Sequence, residues 1–154
     1  MLKQALVQYA HVLKEIAQAH LKQNGTHPPT VVAVSPQQQA IFEIICPTVE
    51  ERSERLQFIR DTIKAREFEA AVVISETRVV MTKPGDPNIG IPPENNPASQ
   101  EAIIMDAQMP GYRYLVIIPF LRVNNDIVFE IEKTVDSDTD TGTRVYQPYA
   151  EIFK

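Results

Sequence analysis

Residues 101–123 read EAIIMDAQMPGYRYLVIIPFLRV, in which Pro110-Gly111 divides two apolar runs. Proline fixes φ at the second position of a type II turn, and glycine accepts the positive φ that the third position requires. The polar stretch Asn124-Asn125-Asp126 suits a second turn, because Asn and Asp tolerate the left-handed region. The sequence therefore predicts an antiparallel meander whose strands are Glu101–Gln108, Tyr112–Val123 and Ile127–Val135.

Further strands are expected upstream, where Val and Ile are concentrated. Thr30–Ser35 and Ala40–Cys46 lie on either side of the breaker Ser35-Pro36, and they predict a hairpin. The predicted strand Ala70–Met81 contains the unbroken apolar run Val72-Val73-Ile74. Such a run indicates burial on both faces, as in a central strand of a sheet.

Two helices are predicted from periodicity and capping signals. Residues 2–23 form an amphipathic helix that ends at Asn24-Gly25, because apolar residues recur there at alternating spacings of four and three. Thr48 and Glu51 form a capping box that begins a second helix, which runs to about Arg66. The apolar face of the first helix indicates core packing, and the alternative is the seam of a homodimer, because the same spacing also suits a short coiled coil. The candidate interface residues are Leu2, Leu6, Tyr9, Leu13 and Ile16.

Together these elements predict one α+β domain over residues 1–154, in the order α-β-β-α-β-β-β-β. We expect the two helices to pack on one face of a mainly antiparallel sheet. The β-α-β step from residues 40–46 through the second helix to residues 70–75 allows one parallel pair of strands.

The composition excludes several broad classes of protein. Of 154 residues, 44% are hydrophobic and 23% are charged, which excludes wholesale disorder. A net charge of −5 makes a nucleic-acid partner unexpected, because phosphate binding needs a basic patch. No apolar run approaches the ~18–20 residues of a membrane span. The single Cys46 suits a reducing compartment, and the polar N-terminal stretch is unlike a signal peptide, so we expect a cytoplasmic protein.

Residues 83–100 form a long Pro-rich segment with several Gly and Asn residues, which predicts an irregular loop. Loops of this length in compact domains are usually functional or disordered. A third interpretation is a cover that protects a sheet edge from aggregation.

The tripeptide Ile74-Ser75-Glu76, the loop at residues 84–97 and the following strand that ends at Asp106 give the chain a family resemblance. The layout resembles small uncharacterised bacterial and phage proteins, in which a helix leads into a strand reading roughly VSEAW and a Pro-rich loop follows. The resemblance covers about residues 45–122, and it departs at Thr77-Arg78, where Ala-Trp is expected. It implies the topology and a prokaryotic or phage origin, and it carries no activity that could be transferred.

Polar residues within the apolar strands are the candidate pocket. Ser75, Glu76 and Arg78 interrupt a Val- and Ile-rich strand, and Asp106 ends the next one. Polar groups in such positions are either hydrogen-bonded or exposed. If the sheet bends at this point, these side chains line a pocket.

A second candidate site is the acidic turn at residues 136–143. Asp136, Asp138 and Asp140 alternate as the first ligands of a calcium loop do. The pattern departs from an EF-hand, because Gly142 is seventh where the sixth position is required, and Gln147 stands where the twelfth position needs Glu. A solvated turn is therefore the preferred interpretation, and no metal site is predicted.

No phosphate-binding glycine loop and no nucleophile elbow occur in the sequence. We therefore expect a non-enzymatic binding or assembly protein that needs no cofactor and whose partner is another protein or a second copy. One alternative is a metal-dependent hydrolase or nuclease that uses Glu76, Asp106 and Glu130. The other is a small-ligand sensor with the Pro-rich loop as its lid.

Overall fold

The computed structural model describes residues 1–80, 85–139 and 152–153. The helices and strands of these residues are α1 (Lys3–Asn24), β1 (Thr30–Ser35), β2 (Gln38–Glu43), α2 (Val49–Ala65), β3 (Ala70–Val79), β4 (Gln100–Met109), β5 (Tyr112–Val123), β6 (Asp126–Phe129) and β7 (Lys133–Asp136). This order confirms the predicted α+β arrangement. The last predicted strand, Ile127–Val135, is divided between β6 and β7.

The strands form a sheet in the order β2-β1-β3-β4-β5-β6, and β7 also pairs with β5. The last two strands share one edge of β5, because β6 pairs with Phe120–Val123 and β7 pairs with Tyr114–Ile117. Every pair of neighbours is antiparallel.

Both predicted turns of the meander are confirmed. Gly111 has a φ of 75°, and the register pairs Met109 with Tyr112 around it. Asn124 and Asn125 have φ values of 49° and 65° between β5 and β6. Two successive positive φ values are typical of the type I′ turn that suits the twist of a tight hairpin.

The parallel pair allowed by the sequence does not form. β2 and β3 run in the same direction, but β1 lies between them and pairs antiparallel with both. The physical reason is that residues 31–34 of β1 are all apolar, so both faces of the strand favour burial and β1 takes a position between two other strands. Helix α2 therefore crosses over β1 to connect two strands that share no hydrogen bond.

The two helices lie on opposite faces of the sheet, so the prediction that they share one face is wrong. Side chains of α1 pack with Val32 and Val72, whereas side chains of α2 pack with Val31 and Val73. Neighbouring residues of a strand point to opposite faces. Because the central strands are apolar on both faces, each face needs a helix to cover it. Neither helix is long and apolar enough to cross a membrane.

The helix ends match the predicted signals. Gly25 ends α1 with a φ of 76°, and its N–H donates to the carbonyl of Leu21. At the start of α2, the Thr48 hydroxyl accepts a hydrogen bond from the N–H of Glu51 at 3.1 Å. Each contact satisfies a backbone group that the helix itself leaves unpaired.

Candidate functional site

The four residues of the candidate pocket lie on two different faces of the sheet. Ser75 and Asp106 point to the face that α2 covers, and Glu76 and Arg78 point to the face that α1 covers. The pairing of Glu76 with Ile103 and of Asp106 with Val73 sets this arrangement. The structure therefore does not bring these four side chains together.

Asp106 is a fully buried carboxylate that is held by Arg113 and Gln108. The guanidinium of Arg113 donates from Nε to Oδ1 at 2.8 Å and from Nη2 to Oδ2. Gln108 donates to Oδ2 at 3.1 Å, and its own carbonyl oxygen accepts from the N–H of Ile152 at 2.7 Å. The buried charge is thus paired and hydrogen-bonded, as a buried carboxylate must be, and the cluster links β4, β5 and the C-terminal segment.

A cleft of about 270 Å³ opens beside this cluster. It is lined by Gln108, Met109, Gly111, Tyr112, Arg113, Ser137 and Phe153. The Tyr112 hydroxyl donates to Asp136 at 2.8 Å, and burial together with that carboxylate raises the pKa of the phenol well above its ordinary value. Its phenol therefore stays protonated and bonded to a neighbour. Ser75, on the same face of the sheet as Asp106, is fully buried, and its hydroxyl has no partner among the described residues.

Glu76 belongs to a network around Arg122 on the opposite face. Arg122 pairs with Glu76 at 2.8 Å and with Glu101 at 3.1 Å, and it donates to the carbonyl of Gly25 at 2.8 Å. The second oxygen of Glu76 accepts from the backbone N–H of His27 at 3.1 Å. The network attaches the end of α1 to three strands.

Arg78 lies outside this network and donates to the Ser99 hydroxyl at 3.1 Å. Another cluster attaches the middle of α1: Lys14 pairs with Glu132 at 2.8 Å, and His11 contacts the Tyr114 hydroxyl at 3.0 Å. The contacts of Lys14 and His11 thus join α1 to the segment between β6 and β7 and to β5.

The carboxylates of the hydrolase alternative are also separated. Glu76 and Asp106 lie on opposite faces, and Glu130 accepts a hydrogen bond from Gln100 at 3.3 Å. Among the residues that the structure describes, no three His, Cys, Asp or Glu side chains are placed to hold a metal ion.

The acidic turn is described as far as residue 139. Asp136 accepts from Tyr112 and from the N–H of Asp138, the latter at 2.9 Å. Asp138 pairs with Lys3 at 2.7 Å. Asp140, the third member of the calcium candidate, lies outside the described residues. The two described carboxylates thus bind α1 and β5.

The Pro-rich loop is organised by its own side chains from residue 85 onward, while residues 83–84 lie outside the described part. Asn96 is buried, and its amide donates to the carbonyl of Asn88 at 3.0 Å and accepts from the N–H of Ala98 at 2.9 Å. A short 3-10 turn, Pro93–Asn95, precedes it. The role of this loop as a lid stays a prediction.

The candidate interface on α1 is divided between core and surface. Leu6 and Leu13 are buried in the core against the sheet. Leu2 and Ile16 are 76% and 60% exposed, and the Tyr9 hydroxyl donates to Gln39 at 2.5 Å. Exposed apolar side chains on α1 thus lie on the flank that faces β2.

The sequence interpretation missed that β2 is an edge strand: among the described residues, no strand pairs with its outer side. The N–H of Ile44 donates to the carbonyl of Pro29 at 2.7 Å, so even-numbered residues direct their backbone groups toward β1. Gln39, Ile41 and Glu43 therefore direct their N–H and C=O groups away from the sheet. All three are exposed. We call these outward groups and their side chains the β2 edge.

Apolar and aromatic side chains surround the β2 edge. Ile41 is 62% exposed on the α1 face, and Phe58 is 52% exposed on the α2 face, where its ring lies 6.5 Å from that of Phe42. The guanidinium of Arg55 lies over both rings, and it donates to the Glu43 carbonyl at 3.3 Å. Among the described residues, Arg55 is the one donor to an outward carbonyl of β2. The sequence signal was available, because Gln38–Glu43 contains no Lys, Arg or Pro to protect an edge.

Comparison of the chain with protein-family models, with curated proteins and with solved structures finds no match. The resemblance drawn from Ile74-Ser75-Glu76 stays a prediction.

Proposed function

We propose that the chain is a non-enzymatic protein-binding or assembly module that binds an extended polypeptide segment along the β2 edge. In strand addition, the backbone groups of an edge strand pair with a partner strand and provide affinity, while alternate side chains provide specificity. The observation that carries this proposal is the outward direction of the backbone groups of Gln39, Ile41 and Glu43.

The composition of the edge supports the proposal. Natural edge strands are usually protected by charged residues, by proline or by bulges, because an open edge invites pairing. β2 contains no Lys, Arg or Pro, and its one charged residue, Glu43, lies at its end. An exposed Ile41 lies at its centre, and Phe58 and Arg55 extend the surface onto α2. A partner strand would cover these apolar groups and satisfy the open backbone groups at the same time.

The polar clusters support a binding role over a catalytic one. Asp106 is bonded to Arg113 inside the protein, and Glu76 is bonded to Arg122 and to the end of α1. These carboxylates hold elements of the fold together. A cytoplasmic location and a prokaryotic or phage origin, which the single Cys46 and the resemblance favour, belong to the same proposal.

A defined peptide tests this function. We would titrate a blocked peptide of alternating Thr and Val, with a Lys at each end, into dilute isotope-labelled protein and follow the backbone amide signals. We expect shifts along β2 and slower hydrogen exchange at Gln39, Ile41 and Glu43. Ile41→Pro should abolish binding, because proline removes the central outward N–H of β2. The fold should be kept, because this N–H forms no bond to β1.

The matched control is Ile131→Lys, which alters an apolar residue that is 94% exposed between β6 and β7. This variant should bind the peptide as the unaltered protein does. Shifts confined to other strands, or no shifts at all, would show that the β2 edge is not a binding surface.

A further inference from the structure

We propose that the partner of the β2 edge is a second copy of this chain, whose own β2 pairs antiparallel with it around a twofold axis at Ile41. This inference rests on the proposed function and names the partner for the same surface. It follows from the backbone directions and side-chain sizes along one short strand.

The directions of the backbone groups select the register. Two edge strands form hydrogen bonds only where outward residues oppose each other, and the outward residues of β2 are Gln39, Ile41 and Glu43. Placing Ile41 opposite Ile41 sets Gln39 opposite Glu43 in both directions, so all three residues on each strand take part. A shift by two residues leaves one outward residue of each strand opposite a position outside β2, either Gln37 or Ile45.

Each opposed outward pair exchanges two backbone hydrogen bonds in an antiparallel ladder. The pairs at Ile41 and at Gln39 and Glu43 therefore provide about six bonds across the axis. Two of these use the Glu43 carbonyl, which accepts from Arg55 in the single chain. The other four require no existing bond between described residues to break.

The side chains fit the same register on both faces. On the α1 face, the two exposed Ile41 side chains meet at the axis, and the Gln39 amide faces the Glu43 carboxylate of the other copy. On the α2 face, Phe42 lies opposite the small Ala40. Side chains come closer in such non-hydrogen-bonded pairs, so a large residue opposite a small one is favourable.

The helices on the α2 face leave room for this pairing. Helix α2 packs on Val31 and Ala33 of β1, and β2 lies outside that strand. Two copies of β1 would be separated by three strand spacings, roughly 14 Å. A helix with its side chains is about 10–12 Å wide, so the two α2 helices would not collide. The exposed ring of Phe58 would help to fill the space between them.

Charge and size indicate a weak dimer that depends on concentration and salt. Each chain carries a net charge of −5, so two copies repel each other, and salt screens that repulsion. A contact built around six residues of strand is small for a protein interface. We therefore expect association to increase with both protein and salt concentration.

Sedimentation velocity of the full chain tests the inference over protein concentrations from about 1 μM to about 1 mM, a range that brackets weak affinities. We expect the mass to rise from 17.4 kDa toward twice that value, and to rise further in higher salt. Ile41→Lys and Ile41→Pro should remain monomeric, and Ile131→Lys should dimerise normally. If Ile41→Pro does not fold, Ile41→Lys decides, because its side chain lies at the surface.

Cross-linking tests the register itself. Hydrogen-bonded antiparallel pairs have Cα atoms about 5.5 Å apart, which is within the range of about 4.4–6.8 Å that a disulfide requires. In a Cys46→Ser background, Ile41→Cys should form a covalent dimer on mild oxidation, and Ile131→Cys should not.

A chain that stays monomeric throughout, or a dimer that Ile41→Lys leaves intact, would overturn this inference. If the Thr and Val peptide still binds the β2 edge in that case, the proposed function stands and the second copy is the wrong partner. If neither the peptide nor a second copy binds, both proposals fail.

Discussion

Replacing Arg113 with methionine should destabilise the protein by removing the cation that holds Asp106. The carboxylate of Asp106 has no solvent exposure, and two of its hydrogen bonds come from Arg113. Methionine retains the apolar length of the side chain and removes the charge and the donors. In Arg113→Met, a buried anion would keep a single described donor, the amide of Gln108.

The size of the effect follows from the burial of each partner. Removing one partner of a buried ion pair costs about 3–5 kcal/mol. The side chain of Arg113 is 35% exposed, so water reaches part of the pair. We therefore expect a loss of about 2–3 kcal/mol for Arg113→Met, at or below the lower end of that range. For a chain of this size the midpoint of thermal unfolding should fall by roughly 5–10 °C.

Urea unfolding followed by circular dichroism measures this loss, and an unchanged m-value shows that the same surface is exposed on unfolding. The double variant Asp106→Leu with Arg113→Met removes both charges and should be more stable than Arg113→Met by about 1 kcal/mol; part of the loss remains because the buried amide of Gln108 loses its acceptor. A loss below about 0.5 kcal/mol for Arg113→Met, the scatter of ordinary surface substitutions, would refute this reasoning. A double variant as unstable as the single one would refute it as well.

Three further predictions concern stability. Burial lowers the pKa of His27 in the folded protein. Its contribution to stability is therefore fully present above the ordinary His pKa of about 6.5, and it is lost as the pH falls through the lower pKa of the folded state. His27→Gln should remove this part of the pH dependence of the free energy of unfolding in urea titrations, and an unchanged pH profile would contradict the prediction. Thr48→Ala should cost about 1 kcal/mol, because α2 loses its capping oxygen, whereas Ser53→Ala, at an exposed position inside α2, should cost nothing and serves as its comparison. Asn96→Ala should cost about 1–3 kcal/mol, because the Ile91 carbonyl and the Ala98 N–H lose their bonds to this side chain. Amide exchange should then increase within the Pro-rich loop; exchange that increases equally everywhere would show that the loop is not held by this residue.

The parts of the fold that depend on local chemistry could be predicted from the sequence. Gly111 and the pair Asn124-Asn125 define their turns through φ alone, so neighbouring residues were sufficient. Thr48 and Gly25 mark helix ends for equally local reasons. The meander and the element order follow from these signals.

The layer arrangement depends on non-local packing, and there the prediction was wrong. The run Val72-Val73-Ile74 already indicated burial on both faces, which requires a helix on each side of the sheet. With both helices on one face, the apolar side chains on the other face, such as Val73, would have no helix to cover them. β1 has apolar residues at both odd and even positions and is buried, so it also indicates a helix on each face of the sheet.

The candidate pocket could not be judged from the sequence, because the face of each residue depends on register. Glu76 and Asp106 are 30 positions apart, and a slip of one residue between β3 and β4 would exchange the neighbours of every side chain. The β2 edge was missed for a related reason. β2 lies at the edge because β3 pairs with the other side of β1 and not with β2. β3 follows α2 in the chain, so this pairing cannot be seen from the residues around β2.

Hydrogen exchange at the five central amides of β2, measured at low and high protein concentration, tests the free edge most directly. At low concentration, Ala40 and Phe42 should be protected by their bonds to β1, while Gln39, Ile41 and Glu43 should exchange quickly. At high concentration, the amides of Gln39, Ile41 and Glu43 should also become protected, as a second copy pairs with them. Outward amides that are protected even in dilute solution, or that exchange quickly at every concentration, would contradict this account.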